Sequence, residues 1–180
     1  MDIQTKYISK FKSEKTFLLI YTDHFDDSTY SFVIDYNEEF LVLECFNEDG
    51  DYNGISILLR ENITRIRWQG NDITSVFRLI DITKRIEYKN EIDLSTKETI
   101  LKSVYRKYEH INVYIEEIDK DVCFIGQIYD LDSESIVINE FGTSVSLDRK
   151  FILLSLNDIT KIEADGKYER NLEKLLELKN

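Results

Sequence analysis

One residue pattern occurs twice in this chain. Asn62-Ile63-Thr64-Arg65-Ile66 follows the aliphatic run Ile57-Leu58-Leu59, and Asp158-Ile159-Thr160-Lys161-Ile162 follows Ile152-Leu153-Leu154. The match spreads outward at nearly constant offset, pairing Asp35 to Leu43 with Asp130 to Ile138, and Val76, Leu79 and Ile80 with Leu172, Leu175 and Leu176. Self-similarity at a domain-sized period is the mark of a repeated folding unit. A chain of 180 residues then divides into a first copy, 1–90, and a second, 91–180, joined through the short polar stretch Glu87 to Asp93.

Each copy reads in the same order. Ser95-Thr96-Lys97-Glu98 has the form of a capping box, and Ile100, Leu101, Val104, Tyr105 and Tyr108 make the apolar stripe of a helix behind it. Ile3, Tyr7, Ile8 and Phe11 form a weaker counterpart. Runs rich in β-branched and aromatic residues predict strands at 16–22, 30–35, 40–46, 54–59 and 64–68, and again at 111–118, 122–129, 135–141, 151–156 and 160–164. Asp119-Lys120-Asp121 is read as the first hairpin turn of the second copy. The links before each last strand are too short for a full reversal and predict a tight helical turn. Closing helices are expected at 72–89 and 167–179. Ile63/Ile159, Ile66/Ile162, Leu79/Leu175 and Ile80/Leu176 stand at matching positions and are expected to serve folding.

Asn47-Glu48-Asp49-Gly50-Asp51-Tyr52-Asn53-Gly54 alternates oxygen ligands as a calcium loop does, but it lacks the sixth-position glycine and the twelfth-position acid. Asp-Gly and Asn-Gly between two β-like runs predict a hairpin turn instead. Asp130, Asp132 and Glu134 alternate along a bend and read as a solvated face. His24, in an acidic loop, and His110, at a helix end, stand in no catalytic motif and are expected to be solvated or capping. Cys45 and Cys123 occupy non-equivalent apolar runs, as reduced structural thiols do. No catalytic residue, cofactor site or metal site is expected.

The net charge of −12 is spread over both copies. Counterion release drives most nucleic-acid affinity, so an evenly acidic chain is a poor general nucleic-acid binder. No stretch has the length of uncharged apolar sequence that spans a bilayer, and the start lacks a secretion signal, which places the protein in the cytoplasm without a membrane contact. Arg60, Arg65, Arg67 and Arg78 concentrate positive charge near Trp68, whose counterpart is Ala164. Arg65, Arg67 and Trp68 are therefore the candidate partner-binding residues, the indole serving either as an interface anchor or to cap the first copy against the second.

The stretch from Val113 to Ala164 runs as a hairpin, then Gly126-Gln127-Ile128, a bend at Asp130 to Glu134, Ile136-Val137-Ile138, and Asn157-Asp158-Ile159-Thr160-Lys161-Ile162. With Asp35 to Leu43 and Asn62 to Ile66 in the first copy, it resembles the Sm-like family, the fold of the Sm proteins and of bacterial Hfq. The resemblance implies a mainly β, α+β fold of two tandem five-stranded small barrels with flanking helices, packed as a pseudo-symmetric pair. The family's basic and histidine-containing step before the last strand is here Glu61-Asn62 and Asn157-Asp158, and Phe40 has only Ser135 as its counterpart, so the RNA pocket does not carry over. The expected function is a non-catalytic protein-interaction module with a basic partner, for instance an acidic inhibitor of the immunity type. The alternative is a divergent Sm-like RNA-binding protein.

Overall fold

A computed structural model describes residues 2–177. The chain separates into two compact units, Met1–Asn90 and Glu91–Asn180, and among the described residues holds ten strands and four α-helices.

In the first unit α1 (Ile3–Glu14) precedes β1 (Phe17–Thr22), β2 (Asp27–Tyr36), β3 (Phe40–Phe46), β4 (Tyr52–Leu59), β5 (Arg65–Trp68) and α2 (Asn71–Leu79). Asp2 caps α1 by accepting from the Thr5 N–H at 2.8 Å, and Lys15 ends it in the left-handed region at φ 50°. The strands pair antiparallel in the order β5-β1-β2-β3-β4. Both sheet faces are covered, which explains the nearly unbroken apolar runs. Leu18, Ile20, Leu41 and Leu43 bury against Ile8 and Phe11 of α1, while Phe17, Phe32 and Phe46 bury against Ile73, Val76 and Ile80 at α2.

The second unit places α3 (Lys97–Tyr108) before β6 (Ile111–Ile115), β7 (Asp119–Leu131), β8 (Ser135–Glu140), β9 (Phe151–Ser155), β10 (Lys161–Ala164) and α4 (Lys167–Glu177). Its antiparallel order, β10-β6-β7-β8-β9, is that of the first unit. Details coincide as well. A bulge breaks the register at Ile34 in β2 and at Tyr129 in β7. The following turn is closed by Asn37 Oδ1, accepting from the Glu39 and Phe40 N–H groups, and by Asp132 Oδ1, accepting from those of Glu134 and Ser135. Single 3₁₀ turns, Arg60–Asn62 and Leu156–Asp158, lead into each last strand.

Several expectations need correction. Neither sheet closes into a barrel: within each unit the fourth strand does not bond the fifth. A single 3₁₀ turn leads into a fifth strand of four residues, which pairs antiparallel with the first strand of its unit. The first hairpin of the second unit turns at Glu116–Ile118, where the Ile118 N–H reaches the Ile115 carbonyl at 2.8 Å, so Asp119–Asp121 lie within or pair into β7. The capping box of α3 is Thr96 with Thr99, one residue later than Ser95 with Glu98. Helix α2 stops at Leu79 because Ile80 turns extended, and 80–89 run on as a 3₁₀ turn and irregular chain. Leu79 is consequently 61% exposed. The last positions of the expected 167–179 helix lie outside the described residues.

The 47–54 stretch forms the β3–β4 hairpin turn. Asn47 Oδ1 accepts from the N–H groups of Asp49 and Asp51, and Gly50 sits at φ 80° with Leu79 where its Cβ would be. Gly126 lies in β7 where any Cβ would collide with the Asn139 carbonyl. No described helix is long and apolar enough to cross a membrane.

Candidate functional site

Strand β5 alternates its side chains between two faces, and this divides the residues that the sequence groups together. Ile66 and Trp68 face α1. Trp68 packs against Phe11 at 5.1 Å and Tyr7 at 5.6 Å between ring centroids, yet remains 41% exposed. Ile3, Tyr7 and Phe11 on one side and Ile63, Ile66 and Trp68 on the other line a groove of about 400 Å³. The rings hold one another in place, so the groove is formed without a ligand.

Arg65 and Arg67 take the other face, and both are engaged. The Arg65 guanidinium lies over the Tyr21 ring at 3.9 Å and forks onto Asp23, its Nε donating at 2.7 Å. This fork, with the Thr64 hydroxyl, holds the Asp23 carboxyl down to about 2. Arg67 donates to the Tyr21 hydroxyl at 3.0 Å and pairs with Asp72 at 2.9 Å. Arg60, counted with them in the sequence, is buried and structural, donating to the Asn37 carbonyl, Gln4 and Thr5.

The second unit repeats this arrangement with different chemistry. Lys161 lies over the Tyr114 ring at 4.0 Å and pairs with Glu116 at 3.3 Å. The Thr160 and Thr64 hydroxyls both accept from the N–H of the acid, at 3.1 Å, and each gives its single proton to that acid's carboxylate, with the tyrosine carbonyl within reach as the other acceptor. Glu163, in place of Arg67, accepts from the Tyr114 hydroxyl at 2.8 Å. Sequence reading missed this construction, although Tyr-Thr-Asp and Tyr-Ile-Glu before each turn, and Thr-Arg and Thr-Lys after it, carry its signal.

Burial sets the second version apart. Lys161, Glu116 and Thr160 are buried, and so are Asn112, Glu169 and His110. Asn112 Nδ2 donates to Glu169 at 2.7 Å, while its Oδ1 has no partner. Burial pushes the Tyr114 phenol well up. Although Cys123 on β7 is exposed as a residue, and so not the structural thiol expected, desolvation at its sulfur, with Glu163 and Glu169 nearby, raises the thiol to about 11. Cys123 is thus a thiol rather than a thiolate nucleophile at neutral pH.

His110 is neither solvated nor a simple cap. Nε2 accepts from the Asp165 N–H at 3.2 Å, so the ring proton resides on Nδ1 and is donated to Glu173 at 2.7 Å. Both nitrogens are occupied in fastening β10 and α4 to the end of α3. His24 lies in the 3₁₀ turn Asp23–Phe25. Among the described residues no group of three or more His, Cys, Asp or Glu side chains is arranged to hold a metal ion.

Compared with known proteins, the chain matches no family model, no curated protein and no solved structure.

Proposed function

We propose that this chain is a non-catalytic protein-interaction module of two Sm-like five-stranded units, and that the α1–β5 groove is its docking site. The observation that carries the proposal is Trp68, a half-exposed indole clamped by Tyr7 and Phe11 at the mouth of an apolar groove. Rigid aromatic anchors of this kind dominate protein interfaces. The reading as repeated Sm-like units is supported by the shared strand order, the shared bulge and the 3₁₀ turn before each last strand.

The partner is a basic protein that seats an apolar side chain in the groove. Net charge −12 attracts such a partner over distance, and the groove supplies the short-range contact. An acidic inhibitor that covers a cationic active site is one form this takes.

The exposed faces of Trp68 and Tyr7 also favour a second reading, stacking of single-stranded RNA bases. Phosphates would then have to displace Asp23 from Arg65 and Asp72 from Arg67, which opposes it. Affinity capture at low salt, with the full chain and its Trp68→Ala variant as baits, tests the first reading. A basic protein retained by the parent and by Arg67→Glu but lost with Trp68→Ala supports it, and background alone overturns it. Saturable retention of a single-stranded RNA oligomer in a filter assay, lost on Trp68→Ala, would transfer the site to RNA.

A further inference from the structure

Half of one sheet face in the second unit is apolar and uncovered. Tyr129, Phe151 and Leu153 are 71%, 60% and 69% exposed. The Tyr129 and Phe151 rings meet edge to face at 4.9 Å, and Leu153 lies across from Val137, which in turn lies across from Asp130. Large apolar side chains gathered on one face and left in water mark an interaction surface. Among the described residues helix α4 covers the other half, through Leu172 on Ile125 and Phe141.

The first unit shows what such a face accepts. Its residues at the same register, Ile34, Val42, Ile55 and Ile57, are all buried. Over this half runs the irregular segment after α2. Ile82 and Ile86 share a cavity lining with Ile34. Between them Arg85 lies 3.5 Å over the Phe32 ring and donates to the fully buried Glu44 at 2.8 Å, and the Ile86 N–H donates to the same carboxylate at 2.9 Å.

Charge is also left unanswered in the second unit. Asp35 of the first is paired with Lys12 at 2.7 Å. Its counterpart Asp130, in the row of Val137 and Leu153, meets only the N–H of Leu131 among the described residues. Asp132 and Glu134 extend the negative rim.

We infer that this face binds an extended protein segment with aliphatic side chains on both sides of a lysine or arginine. The aliphatics cover Phe151 and Leu153, as Ile82 and Ile86 lie beside Ile34 in the first unit, and the cation pairs with Asp130. In the first unit the cation, Arg85, is taken by Glu44, whose register counterpart is the uncharged Asn139. Backbone and side chains of such a segment need no helix or sheet of their own to make these contacts. The surface is separate from the α1–β5 groove and stands or falls without it.

A labelled synthetic peptide with the sequence of residues 81–89 is the probe, titrated with the full chain at low salt and read by fluorescence anisotropy. Saturable binding is expected, about tenfold weaker or more for the Leu153→Lys and Asp130→Lys variants, and weaker likewise for a peptide carrying Arg85→Glu. Both chain positions are exposed, and thermal melting of each variant verifies that it folds. No saturation up to about 1 mM peptide, or unchanged binding by folded Leu153→Lys, overturns the inference. So does a concentration-dependent rise in the mass of the chain alone that Leu153→Lys abolishes, since the face would then be closed by a second copy.

Discussion

Arg65 stands with its guanidinium 3.9 Å from the centroid of the Tyr21 ring, and Lys161 holds the same station 4.0 Å over Tyr114. The two cation–aromatic pairs share their neighbours too: an acid on the turn, a threonine before the cation, and a tyrosine hydroxyl bonded to the residue two beyond it. What differs is the environment. The Arg65–Asp23 side chains are 54% and 40% exposed, whereas those of Lys161 and Glu116 are 8% and 5% exposed.

The half-exposed pair gives a pH dependence. Asp23 has its carboxyl lowered from 3.8 to about 2, first by Arg65 and next by Thr64. A depressed folded value contributes stability that is present above 3.8 and lost as pH falls toward 2. Urea midpoints measured over this window should fall more steeply for the parent than for Asp23→Asn. Parallel curves would show that the pair adds nothing.

Repeat position and burial make different forecasts for three aliphatics. Ile162 is 3% exposed, and Ile162→Ala should destabilise by about 2–5 kcal/mol. Ile66 is only partly buried, so Ile66→Ala should cost about 1–2 kcal/mol. Leu79 is exposed, and Leu79→Ala should stay within about 0.5 kcal/mol. Chemical denaturation of the three variants supplies the ranking, and equal losses at Ile162 and Leu79 would refute it.

In the second unit Asn112 occupies the register at which the first unit has Leu19. Asn112→Leu should destabilise by about 1–3 kcal/mol, because the buried Glu169 loses its donor. The double variant Asn112→Leu, Glu169→Leu should recover much of that loss, since the pair is replaced by apolar groups. A double-mutant cycle with no coupling would mean that the two side chains act independently.

Cys123 should be a slow nucleophile. With its thiol pushed up to about 11 by desolvation at its sulfur and by Glu163 and Glu169, it carries roughly a hundredfold less thiolate than an ordinary cysteine near pH 8. Iodoacetamide should label it slowly in the folded Cys45→Ala variant and at the ordinary rate in urea. Rapid labelling of the folded protein would contradict the raised thiol, since Cys123 is exposed and access does not limit the reaction.

The repeated pattern in the sequence determined the succession of elements, because alternation, helical stripes and turn residues act over a few positions and each copy states them independently. Thr64-Arg65-Ile66 and Thr160-Lys161-Ile162 already imply equivalent fifth strands. Three things were settled only in three dimensions. Strand five bonds strand one and leaves the sheet open, because ladder partners are chosen among strands distant in sequence. Arg65 and Arg67 part company with Trp68, because a strand turns successive side chains to opposite faces and what covers each face comes from elsewhere in the chain. Ile34 and Tyr129, alike in bulge and register, end buried and exposed respectively. Whether residues 82–88 or solvent lies over such a position depends on packing across the sheet, and no local pattern encodes it.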